Sequence, residues 1–323
     1  MLNLPDENDV SSATSHDCRG DVIACRWRTG WCFAAALLSA SALPAQGFRV
    51  DSTTTVAVVP GVTHQHLYLP AGPWSVQVVE VQLNQPGISV RAAHAGDAIR
   101  GRETVRSIAA RHSSDTARVV AAINADLFDL ATGADENNEV IDGHVVRAET
   151  VTRAPQDSGH HVHSQFGITM AAKPVFEQFV AVDPTDPRAG FRPDRGPLRT
   201  LVGGWGRLVV HGRSIADSAG PFEGTPPSFA AVRHPRSGVG ISRDSSTLYL
   251  ITVDGRQESS SGMSLKEFAQ LMIQLGAYEG LNLDGGGSTT MVVNGAVVNH
   301  PSDANGERPV GDVLLVVQGT PHD

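Results

Sequence analysis

Short apolar runs, broken every few positions by Gly, Pro, Asn or Asp, set the rhythm of this chain. Trp74 to Leu83 is rich in Val, and Ile88 to Ala93 follows it; both read as strands. Arg118 to Ile123 is a continuous apolar strand that ends at Asn124. Leu248 to Val253 is β-branched and aromatic, and Gly280 to Leu283 and Val313 to Val317 complete the set. Two segments change to the helical period. Glu103 to Arg111 places Val105, Ile108 and Ala109 on one face. From Leu265, the stripe Phe268, Ala269, Met272 and Leu275 predicts a helix, with Ser264 and Glu267 as a capping box and Gly276 as its stop.

Three segments share one design, a polar residue and Gly between apolar runs. They are Ile141 to Val146, Val209 to Gly212 and Val292 to Val298, and each predicts a tight hairpin. Pro184 to Pro197 reads as a surface loop. Strand, helix and strand from Leu248 to Leu283 predict a βαβ unit with parallel strands and a right-handed crossover. The expected fold is therefore α+β (mixed α/β): a twisted mixed β-sheet with one βαβ unit, several hairpins and few helices. Parallel strands finish at one edge of a sheet, so Asp254, Arg256 and Asp284 are expected to converge in a crevice there.

The first 46 residues stand apart. Met1 to Gly20 is polar and patternless, then Arg26 and Arg28 precede an apolar run from Trp31 to Leu43 and the small residues Ser41, Ala42 and Ala45. This describes a secretory signal peptide behind an upstream extension, with translation expected to begin nearer Val22. The apolar run falls short of the roughly 20 residues a membrane-spanning helix needs; the competing reading is a disordered tail with an accidental apolar patch. Cys18, Cys25 and Cys32 all lie in this leader, so residues 47–323 carry no disulfide or thiolate. These features place the mature domain, residues 47–323, outside the cytoplasm: secreted, or in a bacterial periplasm or at a cell surface.

Composition narrows the partners. The formal net charge of -9 and the lack of any Lys/Arg-rich block exclude nucleic acid as the main one. Aromatic residues are 5% of the chain, too few for a stacking platform. Gly (33) and Pro (19) agree with many turns, and no repeat of solenoid period is visible. Nothing indicates an integral membrane protein, and oligomeric state is left open.

The chemistry concentrates between Leu281 and Met291, Leu-Asn-Leu-Asp-Gly-Gly-Gly-Ser-Thr-Thr-Met. A strand ends in Asp284 and enters a glycine run followed by three hydroxyls. Gly285, Gly286 and Gly287, with Ser288 and Thr289, suit either a plain loop into a hairpin or a backbone cradle for an oxyanion. Asp284 at its rim is available as acid, base or metal ligand. Glu307 and Arg308 read as a solvated ion pair or as site residues. His160, His161 and His163 read as a polar loop, since no carboxylate falls at metal-ligand spacing.

Several motifs together resemble the phosphodiester glycosidase domain family. They are Asn282 to Ser288 (Asn-Leu-Asp-Gly-Gly-Gly-Ser), Val253 to Gln257 with the helix after it, Pro301-Ser302-Asp303, Glu307-Arg308-Pro309 and His234 to Gly240. The likeness is best from 233 to 317 and extends loosely to Asn124 to Phe128 and Gly203 to Gly206. Ala125, Asp126 and Trp205 depart from the family's smaller residues, which puts its best-known substrate in doubt. The resemblance implies an exported hydrolase that cleaves a sugar-1-phosphodiester of the N-acetylglucosamine-1-phosphate type at the C1–O bond. It implies Asp284, Glu307 and Asp254 as the carboxylates. Asn124, Arg236, Arg256, Arg308 and the Gly285–Thr289 segment would bind substrate and phosphate. No cofactor is called for outright; Asp126, Asp254 and Asp284 are able to hold Ca²⁺ or Mg²⁺. The alternatives are a phosphodiesterase acting at phosphorus, and a non-catalytic module that binds a cell-envelope glycan.

Overall fold

The computed structural model describes residues 47–147, 163–178, 196–217, 223 and 225–319. The leader, most of the Pro184–Pro197 loop, His160 and His161 lie outside them. Three antiparallel sheets organise the described chain. The largest has eight strands, in the order β1 (Ser52–Val59), β2 (Val62–Leu69), β3 (Trp74–Gln82), β14 (Thr247–Val253), β13 (Arg236–Ile241), β15 (Glu279–Asn282), β11 (Arg207–Val210) and β12 (Arg213–Ser214). A second runs β7 (His144–Arg147), β6 (Glu139–Ile141), β10 (Leu198–Gly203), β8 (Gln165–Thr169) and β9 (Pro174–Glu177). The third runs β17 (Ala296–Val297), β16 (Met291–Val293), β5 (Ala117–Asn124), β18 (Asp312–Gly319) and β4 (Ile88–His94). The helices are short: α1 (Val105–Arg111), α2 (Pro227–Ala230) and α3 (Leu265–Gln274).

The three predicted hairpins form. Their central pairs, Asp142-Gly143, His211-Gly212 and Asn294-Gly295, all have φ between 47° and 83°. Positive φ at both positions is the type I′ geometry whose twist matches the flanking strands. Both helices expected from the apolar stripes also form, and the Ser264–Glu267 capping box opens α3.

The α+β expectation is corrected. The domain is mainly antiparallel sheet with little helix, and it has no βαβ unit of adjacent parallel strands. α3 does lead from β14 to β15, but β13 lies between those strands, with Val239 opposite both Leu250 and Leu281. Every pairing among the described strands is antiparallel. The unbroken apolar run of β14 misled, because such runs usually mark parallel strands covered on both faces. Here an antiparallel strand is covered on both faces. Leu248 and Leu250 enter a core shared with Val120, Ile123, Phe166 and Leu314 of the other sheets. Tyr249, Ile251 and Val253 enter a second layer under Phe268 and Met272 of α3. Being antiparallel to the same neighbour, β14 and β15 still run in one direction and finish at one edge.

The close seat of α3 depends on a small residue in β13. A Cβ added at Gly238 would fall 2.7 Å from the Phe268 ring and closer still to the Met272 methyl. Overpacking of this kind costs about 1–3 kcal/mol. Gly238→Ala is expected to lower the unfolding free energy by about that amount in chemical denaturation, with an unchanged m-value.

Candidate active site

The edge where β14 and β15 finish is filled by the start of β13. The glycine that follows each strand-end aspartate packs on Pro235: a Cβ on Gly255 or on Gly285 would come within 2.7 Å of the Pro235 backbone. The amide of Gly286 donates to the Pro235 carbonyl at 2.9 Å. Asp254, His234-Pro235-Arg236 and Asp284 therefore line one rim.

Asn124 brackets this rim from behind and is almost fully buried. Its Nδ2 donates to the Asp284 carbonyl at 2.7 Å. Its Oδ1 accepts from Ser237 Oγ at 2.7 Å and from the Thr290 amide at 3.1 Å. The sequence reading gave Asn124 to substrate, but its polar atoms are taken up in joining β5, β13 and the glycine loop.

The Asp284 carboxylate accepts from the Gly285 amide at 2.8 Å. Burial of the carboxyl pushes its pKa up to about 6, against the opposing pull of the Ser288 hydroxyl, the Gly285 amide and the Arg308 charge. The Ser288 hydroxyl lies near the carboxylate but outside good hydrogen-bond geometry. The hydroxyls of Ser288, Thr289 and Thr290 are all buried and have no protein hydrogen-bond partner.

The glycine run is less open than a free cradle. Gly286 to Ser288 forms a 3₁₀ turn, with Gly286 at φ +62°. The amides of Gly285, Gly286, Ser288 and Thr289 are engaged by Asp284, Pro235 and the turn itself. The glycines matter here through what approaches them. A Cβ on Gly286 would sit 3.1 Å from an Arg256 nitrogen, and one on Gly287 would collide with Arg308 and Asp303.

The three candidate arginines take three different positions. Arg236 is fully buried, donates to the carbonyls of Met263, Phe229 and Val232, and stacks on Phe229. Burial, then the charge of Arg256, lowers its pKa to about 9. Arg308 is paired in bidentate fashion with Asp303, at 2.7 and 2.9 Å. Arg256 is exposed and lies over Gly286, with His234 Nδ1 3.4 Å from its Nη2. Its backbone is left-handed, at φ +61°, a conformation that is strained for a bulky residue and tends to occur at functional positions.

The other two carboxylates are structural in their contacts. Asp254 accepts from Ser75 Oγ, Asn299 Nδ2 and the His300 amide at 2.9 to 3.2 Å, and Asn299 in turn holds the Thr289 carbonyl. Glu307 accepts from the Arg106 amide at 2.8 Å, which caps the first turn of α1. The proposed metal set is not gathered either. Asp126 binds the amides of Leu127 and Asn137 and the Asn137 side chain, while Asp254 and Asp284 serve their own partners. His163 stacks on Trp205, which also stacks on Phe229 beside Arg236. Sequence reasoning did not single out Asp303, Asn299 or His234 as site residues, although each falls inside or beside a motif it used.

Residues 117–317 match the sequence profile of the phosphodiester glycosidase family. The chain belongs to this family. A mouse N-acetylglucosamine-1-phosphodiester alpha-N-acetylglucosaminidase is 30% identical over 189 residues, which are 56% of this chain and 33% of that protein. An uncharacterized prophage-derived protein of Bacillus subtilis is 41% identical over 85 residues, 26% of this chain and 13% of that one. The chain thus aligns with only a minor part of these curated relatives. Among solved structures, the catalytic domain of the zebrafish N-acetylglucosamine-1-phosphodiester alpha-N-acetylglucosaminidase superposes with a TM-score of 0.62 at 24% identity, covering 84% of this chain and 86% of that one. A hypothetical protein from Synechocystis gives 0.59 at 19% identity, covering 83% and 64%. These two show that the fold is shared.

The raised pKa of Asp284 has a stability consequence. The folded state holds this proton more tightly than the unfolded chain. Stability from this group is therefore present below pH 4 and is lost as pH rises from about 4 to about 6. Asp284→Asn removes that loss, and above pH 7 it is expected to unfold with a free energy roughly 1–3 kcal/mol above wild type. Denaturant titrations of both proteins between pH 4 and 8 measure the difference.

Proposed function

We propose that this chain hydrolyses a sugar-1-phosphodiester of the N-acetylglucosamine-1-phosphate type and breaks the bond between C1 and the phosphate oxygen. The observation that carries this reading is one juxtaposition. The exposed guanidinium of Arg256 lies over Gly286, two residues beyond Asp284, whose carboxyl burial pushes up to a pKa of about 6. The choice of sugar follows the names of the mammalian relatives.

In this reading the diester phosphate binds Arg256, with His234 beside it, and C1 faces Asp284. At pH 7 Asp284 is mostly ionised, which suits a carboxylate acting at an electron-poor anomeric carbon. The C1–O bond breaks toward phosphate, and the monoester leaves as an anion with little need of a proton. The oxygen of water ends on C1, and the proton of that water passes to solvent or to the departing phosphate. Arg308 and Asp303 act as a brace beneath Gly287, and Arg236 fixes the α2 side of the rim. We further propose that the chain acts outside the cytoplasm, on the strength of the basic flank and apolar run before residue 47. Expression with the native N-terminus is expected to yield a shortened chain in the extracytoplasmic fraction.

The decisive assay supplies the purified chain with N-acetylglucosamine-1-phosphate diesters in ¹⁸O-water. Label is expected in the free sugar; label in the phosphate identifies attack at phosphorus instead, and no turnover on a broad panel favours a binding module. Asp284→Asn is expected to lower kcat by roughly 10²–10⁴-fold. Arg256→Ala is expected to lower kcat/KM by about 10–100-fold, mainly through KM, as loss of a charge-assisted contact to phosphate requires.

A further inference from the structure

Behind the rim, on the far side of β5, lies a second cluster that the proposed reaction does not use. His94 ends β4, Glu139 begins β6, and Asp135 sits in the loop between β5 and β6. All three are at least 97% buried. One ligand atom from each lies within 4.8 Å of the others, and this is the one such group of three among the described residues. His94 Nε2 is 3.3 Å from Asp135 Oδ2 and in direct contact with Glu139 Oε2.

The cluster is short of partners. Apart from the contacts of the His94 ring with Glu139 and with the Gly311 carbonyl, the ring nitrogens of His94 and the carboxylate oxygens of Asp135 and Glu139 make no well-formed hydrogen bond to protein atoms. Asp312, opposite His94 in the β4–β18 ladder, adds a second sign. Its Oδ1 accepts from the Asp126 amide at 2.7 Å, while its Oδ2 is buried and unpartnered. A buried carboxylate without donors is costly unless a cation or a proton neutralises it. Asp312, Asp126 and Glu139 all place further carboxyl groups around Asp135. Arg147 is the cationic side chain that acts on Asp135 and Glu139 besides His94, and it offsets only part of this charge.

We propose that His94, Asp135 and Glu139 bind a divalent transition-metal cation, Zn²⁺ or Mn²⁺, with Asp312 facing the bound ion through its free oxygen. The donor set decides the class of cation. Ca²⁺ and Mg²⁺ take oxygen ligands, whereas one imidazole nitrogen with two or three carboxylates suits Zn²⁺ or Mn²⁺. The Gly311 carbonyl also acts on the His94 ring, the kind of partner that commonly orients a metal-bound histidine. A cavity of about 310 Å³, lined by Ala93, His94, Ile99, Ile141, His144 and Val146, touches one member of the cluster, His94. The cation would join β4, β6 and β18. It would also stiffen the floor of the candidate site, because Asp312 holds the Asp126 and Ala125 amides and the Ala125 carbonyl accepts from Asp284.

The test needs no assay of activity. The full chain is stripped with chelator, reloaded separately with Zn²⁺, Mn²⁺, Ca²⁺ or Mg²⁺, desalted, and measured for bound metal and thermal unfolding. One equivalent of Zn²⁺ or Mn²⁺ is expected, with a Tm about 5 °C above the stripped protein. Glu139→Gln and His94→Gln are each expected to weaken binding at least about 10-fold. Co²⁺ added to the stripped wild type provides a check free of variants, through visible absorption bands of a nitrogen- and oxygen-ligated site. The proposal is overturned by any of three results: no bound metal and no Tm shift, an equivalent retained by both variants, or Ca²⁺ or Mg²⁺ bound in place of the transition metals. Catalytic inactivity with the metal bound would count against the glycosidase reading alone.

Discussion

The carboxamide of Asn124 is the joint on which the candidate site depends. It sits where β5 ends, and its three hydrogen bonds reach the carbonyl of Asp284, the hydroxyl of Ser237 and the amide of Thr290. Ser237 belongs to β13 of the largest sheet, Asp284 and Thr290 to the loop between β15 and β16, and Asn124 itself ends β5 of the third sheet. A buried amide with three of its four bonds made is firmly held, and the same amide with one partner removed leaves a desolvated polar group that costs about 1–3 kcal/mol. The position of the Asp284 carboxyl is thereby set by a side chain 160 residues earlier in the chain.

Charge placed where water is scarce is the second theme. Asp284, Arg236, Asp135 and Asp312 all have pKa values displaced by burial first and by neighbours second. At Asp284 the displacement is moderate, because the Gly285 amide and Arg308 oppose it, and the result is a carboxyl that changes charge near pH 6. At Arg236 the cost of burial is offset by three carbonyls and an aromatic face, so the cation serves as a structural rivet. Around His94 too few donors face too many carboxylates, which is the imbalance a bound cation relieves. The same physics thus raises a carboxyl in the candidate site, holds Arg236 as a rivet and leaves the proposed metal cluster short of donors.

The two clusters are coupled by backbone. Asp312 receives the Asp126 and Ala125 amides, and Ala125 receives the Asp284 amide. An unbroken run of hydrogen bonds therefore links the dry cluster to the loop that carries Asp284.

Local patterns in the sequence determined a good deal. The three hairpins, the capping box of α3, most strand positions and the importance of the Leu281–Met291 stretch follow from spacing, turn chemistry and period, which act within a few residues. The strand direction that brings Asp254, Arg256 and Asp284 to one edge was also legible, although the reason differed: β13 is inserted between β14 and β15. That insertion lies outside local pattern, because an apolar run reports burial on two faces and carries no record of which neighbour provides it. The roles of the three arginines were closed to sequence for a similar reason. Arg236, Arg256 and Arg308 have the same donors, and only the fold decides which is buried among carbonyls, which is paired with Asp303 and which stays free over Gly286. His94, Asp135, Glu139 and Asp312 are the clearest case. Asp135 and Glu139 lie close together in the chain, but His94 and Asp312 are distant from them, and only the packing of the sheets brings their side chains into one water-poor space.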